Sequence, residues 1–447
     1  MKNDNLYLKI VRNFLPSPFT IAILLTVITF ILALFFTESQ SNNTFYAIEI
    51  MGFWEKGFWE LLDFTMQMVL ILVLGHTLAL SPFFNQFIEK LSKHCTNTAK
   101  AAFIISFTSI AISFFNWGLC LIVGAVFTRK VGEYTRKNNI SIHYPILGAA
   151  GYSGLMTWHG GFSGSAPLTV AQSDHFLINS IGQIPITETI LSPLNLTASI
   201  ILLIIIPIVF YILGYKSKPK QYMLKNHDIQ SEVVLSEGIE RLDHSKWFAW
   251  VLGSTICLYA IYKGILNISD NKYGFINLNY INFLLFGMCI LFHRSVYQFI
   301  QAATNAIKGA TGIIIQFPIY AGIMGIMKYS GLVVLFSNFF IEVSNEFTFP
   351  LYTFISAGIV NTFVPSGGGQ WAVQGPIITT AAQALNVPIS KSILALSYGD
   401  QLTNMLQPFW ALPLLGITQL KAKDILPYSF IIMLIGGLIF TLLLLIF

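Results

Sequence analysis

Long apolar runs dominate the chain, several of them near the ~20 residues that a spanning helix needs. They predict helices over 15–36, 62–80, 144–160, 196–215, 247–265, 279–292, 310–327, 392–413 and 427–447. The runs are continuous rather than short and alternating, which excludes the strand pattern of a membrane barrel. Two further apolar stretches, 101–127 and 351–380, are interrupted by FNWG and PSGGGQW. In the second, three glycines between Pro365 and Pro376 are poorly suited to continue a spanning helix.

Composition agrees with this reading. The 447 residues are 55% hydrophobic and 10% charged, against about 25% charged in a soluble domain. The N-terminal MKNDNLYLKIVRNFLPSP is basic and leads into an apolar run at 19–36. That run is too long for a signal h-region and lacks a small-residue cleavage site, so it is read as a retained first span. Cys95, Cys120, Cys257 and Cys289 are scattered and predict small core hydrophobes, with neither a disulfide framework nor a metal site. The net charge of +5 is small and confined to particular loops, so no nucleic-acid surface is expected.

Charge placement orients the spans. Lys2, Lys9 and Arg12 place the N-terminus in the cytoplasm. Lys90, Lys93 and Lys100 on one side of 101–127, and Arg129, Lys130, Arg136 and Lys137 on the other, all favour the inside. Both loops can be cytoplasmic only if 101–127 enters and returns as a hairpin broken near Asn116-Trp117-Gly118. Glu342 and Glu346 place loop 328–350 outside, which makes 351–380 a second hairpin entering from the opposite face.

An internal repeat follows. Residues 148–168 align without gaps on 394–414, matching Tyr152 to Tyr398, Thr157 to Thr403 and Pro167 to Pro413. Upstream, Gln67 matches Gln316. The reading is an all-α integral membrane protein, an inverted-repeat secondary transporter with two re-entrant helical hairpins and broken transmembrane helices. Residues 1–215 form the first repeat, 216–278 a cytoplasmic linker with a connecting helix, and 279–447 the second repeat.

The breaks carry the candidate chemistry. Non-helical backbone at membrane depth survives only where it is buried in protein or lines a watery cavity. A half-helix starting there offers free N–H groups and a positive dipole end, an anion site without a basic side chain. No Lys or Arg occurs within 351–380. Candidate substrate contacts are Asn116, Trp117, Gly118, Ser163, Gly164 and Ser165 in the first half. In the second they are Asn361, Ser366, Gly367, Gly368, Gly369, Gln370, Gln374, Thr403, Asn404 and Gln407. The same polar groups can equally tie interrupted helices together. Trp117, Trp158, Trp371 and Trp410 flank the breaks as candidate apolar walls, or as packing. Asp400, His159 and His76 are intramembrane ionisable residues and hence candidates for coupling to H+ or Na+, with structural bracing as the alternative. Asp63 reads as interfacial. No nucleophile elbow, Walker loop or HExxH motif is present, so no enzyme and no ATP-driven pump is expected, and no cofactor beyond a coupling ion.

The strings NWGLCLIVGAVF, TWHGGFSGSAPL, QFPIYAGI, VPSGGGQWAVQGP and YGDQLTNMLQPFWALP make the chain similar to the bacterial short-chain fatty acid transporter family over almost its whole length. The resemblance implies uptake of butyrate- or acetoacetate-like monocarboxylates across the bacterial inner membrane, driven by an ion gradient. It also implies membership of the wider ion-transporter superfamily, whose carriers are similar hairpin-bearing dimers with an elevator-type shift; a homodimer is therefore expected here. The family's hairpin motif falls on Asn361 and Pro365 through Gln374, and its late-span motif on Asp400 through Gln407. Two positions depart from it: His159 stands where glycine is expected, and Gln370 where histidine is expected. A C4-dicarboxylate or amino-acid carrier of the same superfamily is the alternative, and a channel or intramembrane enzyme the reading from another class.

Overall fold

The computed structural model describes residues 18–39, 45–219, 241–269, 275–363 and 366–447, and contains no strand among them. Lys2, Lys9, Arg12, Pro365 and residues 220–240 of the lysine-bearing loop lie outside the described residues.

The chain begins with α1 (Pro18–Phe36), α2 (Tyr46–Glu60), α3 (Leu62–Ala79) and α4 (Pro82–Ser92). Helices α5 (Thr98–Ser113) and α6 (Trp117–Lys137) then form a hairpin. Next, α7 (Tyr144–Tyr152) unwinds through two 3-10 turns, Ser153–Met156 and Trp158–Gly160, into α8 (Ser165–Val170). The one-turn α9 (Ile178–Ile181) and the long α10 (Pro193–Lys216) follow, and α11 (Lys246–Ser269) joins the halves. The second half runs α12 (Leu278–His293), α13 (Val296–Ile307), α14 (Thr311–Ser330) and α15 (Leu332–Val343). A second hairpin, α16 (Phe349–Phe363) and α17 (Gly367–Ala384), precedes α18 (Ile389–Thr403). A 3-10 turn at Asn404–Leu406 leads into α19 (Pro408–Thr418), and α20 (Ala422–Ile446) closes the chain.

Local chemistry sets many of these starts. The side chains of Asn97, Asn116, Ser192, Asn277, Ser295 and Ser366 each accept the backbone N–H three residues on, satisfying an otherwise unpaired donor of the first turn. Pro82, Pro193 and Pro408 occupy first-turn positions, where a missing N–H costs nothing.

Among the described residues, five helical stretches are long and apolar enough to cross a membrane: Leu62–Ala79, Pro193–Lys216, Lys246–Ile268, Val296–Ser330 and Ala422–Ile446. Their outer faces carry exposed apolar side chains at four-residue spacing, Ile200, Ile204 and Ile208 on α10 and Leu434, Leu438 and Leu442 on α20. Such stripes are what lipid covers, and the chain is an integral membrane protein.

Three expectations change. The predicted 144–160 span is helical only to Tyr152, and the 392–413 span breaks at Asn404–Gln407. Three connections read as loops contain helices, α2, α4 and α15, of 11 to 15 residues. These are too short for a span-length window, and each mixes buried and exposed residues or packs on a neighbour, as α2 does on α14.

The succession of elements repeats. A long helix, a short helix, a hairpin, a broken helix and a closing helix run α3 to α10, and again α14 to α20. In the alignment of 148–168 on 394–414, the 3-10 turn Trp158–Gly160 falls position for position on Asn404–Leu406.

Candidate functional site

The first hairpin turns at Asn116, whose backbone is extended (φ −157°, ψ 127°) between two helical arms. Its Oδ1 accepts the Leu119 N–H at 2.7 Å and its Nδ2 donates to the Ile71 carbonyl of α3 at 3.3 Å. This docking needs Gly75, because a Cβ there would stand 2.0 Å from Asn116 Oδ1. The tip is also fastened to the unwound segment after α7. Trp117 N–H donates to Ser163 Oγ at 2.9 Å, Phe162 N–H to the Phe114 carbonyl at 2.6 Å, and Ser113 and Thr157 share a 2.6 Å hydroxyl bond.

The second hairpin resumes at Ser366 (φ −160°, ψ 109°), which caps α17 through Gly369 N–H at 3.2 Å. Its first arm is tied to the break after α18. Asn361 Nδ2 donates to the Asp400 carbonyl at 2.7 Å and to Thr403 Oγ1 and Asn404 Oδ1 at 2.9 Å. Gln407 Nε2 donates back to the Asn361 carbonyl. Gln370 Nε2 is spent on the Ala357 carbonyl at 2.9 Å and on Gln374 Oε1 at 2.7 Å.

The two breaks bind each other. His159 Nδ1 lies 2.7 Å from Asp400 Oδ2, its backbone N–H donates to Gln401 Oε1 at 2.9 Å, and its Nε2 accepts from Ala166 N–H at 3.2 Å. Both side chains are buried. An Nε2 that accepts a hydrogen bond leaves the proton on Nδ1, so a neutral ring donates to the Asp400 carboxylate. Asp400 Oδ1 has no partner. Tyr152 Oη reaches from the first break to the Asn404 and Gln407 carbonyls at 2.7 and 3.1 Å. Its repeat mate Tyr398 donates to Asn195 Oδ1 at 3.1 Å, and Asn195 Nδ2 holds the Gly160 carbonyl at 2.8 Å.

Between the two tips lies a pocket of about 360 Å³, of which about 20 Å³ is wide enough for the centre of a water molecule. Its polar lining is Ser165, Ser366, Gly367, Gly368 and Asn404; its apolar lining includes Trp117, Trp158, Trp410 and Phe317, with no lysine or arginine among the described residues. The indoles form a cluster, with Trp117 5.1 Å from Trp410 and 5.8 Å from Trp158, and Trp158 stacked on the His159 ring at 4.4 Å. The N-terminus of α17 brings Gly367 and Gly368 to this space, and the N-terminus of α6 brings Trp117. Both supply positive dipole ends.

Other candidates sit beside the pocket rather than on it. Asn116, Ser163, Gln374 and Thr403 take part in the ties described above; Asn361, Gln370 and Gln407 spend their amide N–H groups there, while their side-chain oxygens are buried without a partner. Gly118 packs on α3, and Gly164 lies behind the His159 carbonyl. The three glycines of the second tip lie under rings: Gly367 meets Trp158 and His159, Gly368 meets Phe317 and Phe64, and Gly369 meets Tyr320. His76 is half-buried on α3 and is not among the lining residues. Trp371 is buried in a separate apolar cluster beside Phe176. Asp63 borders a larger cavity of about 1060 Å³, with Glu60, Asp174 and His175. Tyr152, Tyr398 and Asn195 are not among the candidates read from the sequence, where the repeat alignment of the two tyrosines is the available signal, and Gln401 enters only as part of the late-span motif Asp400 through Gln407.

Residues 3–447 match the family model described as "Short chain fatty acid transporter". A relative from Escherichia coli (strain K12), named for short-chain fatty acid transport, is 35% identical over 97% of this chain and 96% of its own. One from Haemophilus influenzae (strain ATCC 51907 / DSM 11121 / KW20 / Rd), named likewise, is 36% identical over 96% and 95%. Among solved structures, the Alcanivorax borkumensis YdaH transporter superposes with a TM-score of 0.59 at 14% identity, covering 96% of this chain and 98% of that one. The structure of Neisseria gonorrhoeae MtrF, of a class of antimetabolite efflux pumps, gives 0.54 at 13% identity, with 97% of each chain covered.

Proposed function

The chain belongs to the short-chain fatty acid transporter family, whose members are transporters and not enzymes, and from that premise we propose that it takes up short-chain monocarboxylates across the bacterial inner membrane, driven by a cation gradient. The observation that carries this reading is the composition of the pocket: two helix N-termini and three indoles, with no lysine or arginine. Backbone N–H groups and dipole ends suit one carboxylate, the indoles suit a short alkyl tail, and a second carboxylate would lack a counter-charge. A carboxylate held by neutral donors is also released more readily than one clamped by a guanidinium.

The pocket is narrow, so it must widen to admit substrate. Cation coupling is assigned to the Asp400–His159 pair, where one buried carboxylate oxygen lacks a donor. The repeated order of elements, with Tyr152 bonded to the second break and Tyr398 linked to the first through Asn195, supports an inverted repeat with two re-entrant hairpins. A cytoplasmic N-terminus and a homodimer complete the proposal.

The test is uptake of labelled butyrate into proteoliposomes, with proton and sodium gradients imposed separately. Saturable uptake driven by one gradient, with counterflow by butyrate and not by succinate, is expected. Counterflow by succinate or an amino acid would move the protein to the alternative carrier class, and non-saturating flux without counterflow would make it a channel.

A further inference from the structure

Trp158 is a wall of the pocket, but its indole N–H is a buried donor with no acceptor. The residue is 6% exposed. Its position is fixed on one side by stacking on His159 (4.4 Å, 13°) and on the other by Gly367, where a Cβ would stand 2.7 Å from Cη2 and 3.1 Å from Cζ2. Cζ2 is two bonds from Nε1, so the unpaired donor lies at the same edge of the ring as the N-terminus of α17. There the N–H groups of Gly367 and Gly368 precede the first capped donor, Gly369. Leaving a buried N–H unpaired costs about 1–3 kcal/mol, a cost that an acceptor in the pocket removes.

We propose that the Trp158 indole N–H and the Gly367–Gly368 N–H groups together form the carboxylate subsite, so that Trp158 is a specificity-determining residue as well as an apolar wall. This rests on the transport reading above and sharpens it. The acid group sits against the α17 terminus, and the alkyl tail extends toward Trp117, Trp410 and Phe317. Two other indoles, of Trp54 and Trp371, also carry unpaired N–H groups. Neither lines this pocket, so of these buried unpaired indole donors only that of Trp158 belongs to a pocket wall.

The test is Trp158→Phe in the full-length purified transporter, which keeps a ring on His159 and removes the donor. Butyrate KM in proteoliposomes should rise about tenfold to a hundredfold, as expected for loss of a hydrogen bond to a charged group, with kcat little changed. Trp371→Phe should leave KM unaltered. Because a poorly folded variant would also lose uptake, sodium butyrate and neutral butyramide are compared by calorimetry on protein that remains monodisperse. The wild type should prefer butyrate, and the variant should lose most of that preference. An unchanged KM, or an unchanged butyrate-to-butyramide ratio, overturns the assignment of Trp158. If the wild type moves no monocarboxylate at all, the transport reading fails instead.

Discussion

His159 Nδ1 stands 2.7 Å from Asp400 Oδ2, at the point where the unwound segment after α7 crosses the end of α18. His159 thereby fixes three groups: a carboxylate through ring Nδ1, the backbone of α8 through ring Nε2, and Gln401 Oε1 through its backbone N–H. The second carboxylate oxygen faces no donor. A proton or a sodium ion arriving there would neutralise a buried charge that is otherwise held by a single hydrogen bond, which is the physical basis of the coupling proposed for this pair.

Asp400→Asn should therefore uncouple transport. The amide keeps an acceptor for His159 and carries no charge to be neutralised. Butyrate exchange across proteoliposomes should persist while accumulation driven by the imposed gradient falls at least tenfold. Accumulation equal to wild type would remove Asp400 from the coupling role.

At the second hairpin tip, Gly368→Leu should abolish uptake while leaving the protein inserted. A Cβ at this position already comes within 2.9 Å of both Phe317 and Phe64, and a leucine would push those rings apart or displace the α17 terminus. Gly367→Ala is the milder version, since its methyl meets the Trp158 edge at 2.7 Å. Uptake should drop severalfold with Gly367→Ala and vanish with Gly368→Leu. Normal uptake by the leucine variant would show that this tip does not form the site.

The placement of these breaks was legible because helix punctuation is local. FNWG and PSGGGQW each put a capping side chain, Asn116 or Ser366, directly before a resumed helix. The purpose of the glycines was not legible. A run of three reads as open backbone, whereas rings from Trp158, Phe64, Phe317 and Tyr320, distant in sequence, close over them. Nor does a string show how an amide is spent: Asn361, Gln370 and Gln407 direct their N–H groups to carbonyls on other turns or helices. The short helices α2, α4 and α15 escaped for a third reason, their length falling below any spanning window. The all-helical membrane class needed only composition and run length.

Tyr398→Phe should destabilise the transporter by about 1–3 kcal/mol, because it leaves the buried Asn195 Oδ1 without its donor. Tyr152→Phe should act similarly, removing one hydroxyl shared by the Asn404 and Gln407 carbonyls. The two losses should show as lowered midpoints in detergent unfolding. Substrate KM should move little for either, since neither tyrosine lines the pocket. A large KM change without loss of stability would mean that these hydroxyls face substrate.

Single-cysteine labelling separates the two hairpin tips. Cys95, Cys120 and Cys289 are buried and Cys257 is half-buried, so a cysteine-free background is the starting point. Ser366 borders the pocket, whereas Asn116 is fully buried behind Trp117 and bonded to α3. Ser366→Cys should therefore react with a small water-soluble thiosulfonate, and saturating butyrate should slow that reaction severalfold. Asn116→Cys should react far more slowly, and butyrate should not protect it beyond what it does for the fold as a whole. The loss of its cap costs about 1 kcal/mol, so the comparison is made on protein still monodisperse in detergent. A Ser366→Cys variant that stays unreactive under every gradient would leave the α17 terminus sealed from water. No anion could then reach Gly367 and Gly368, and the carboxylate site would have to lie elsewhere.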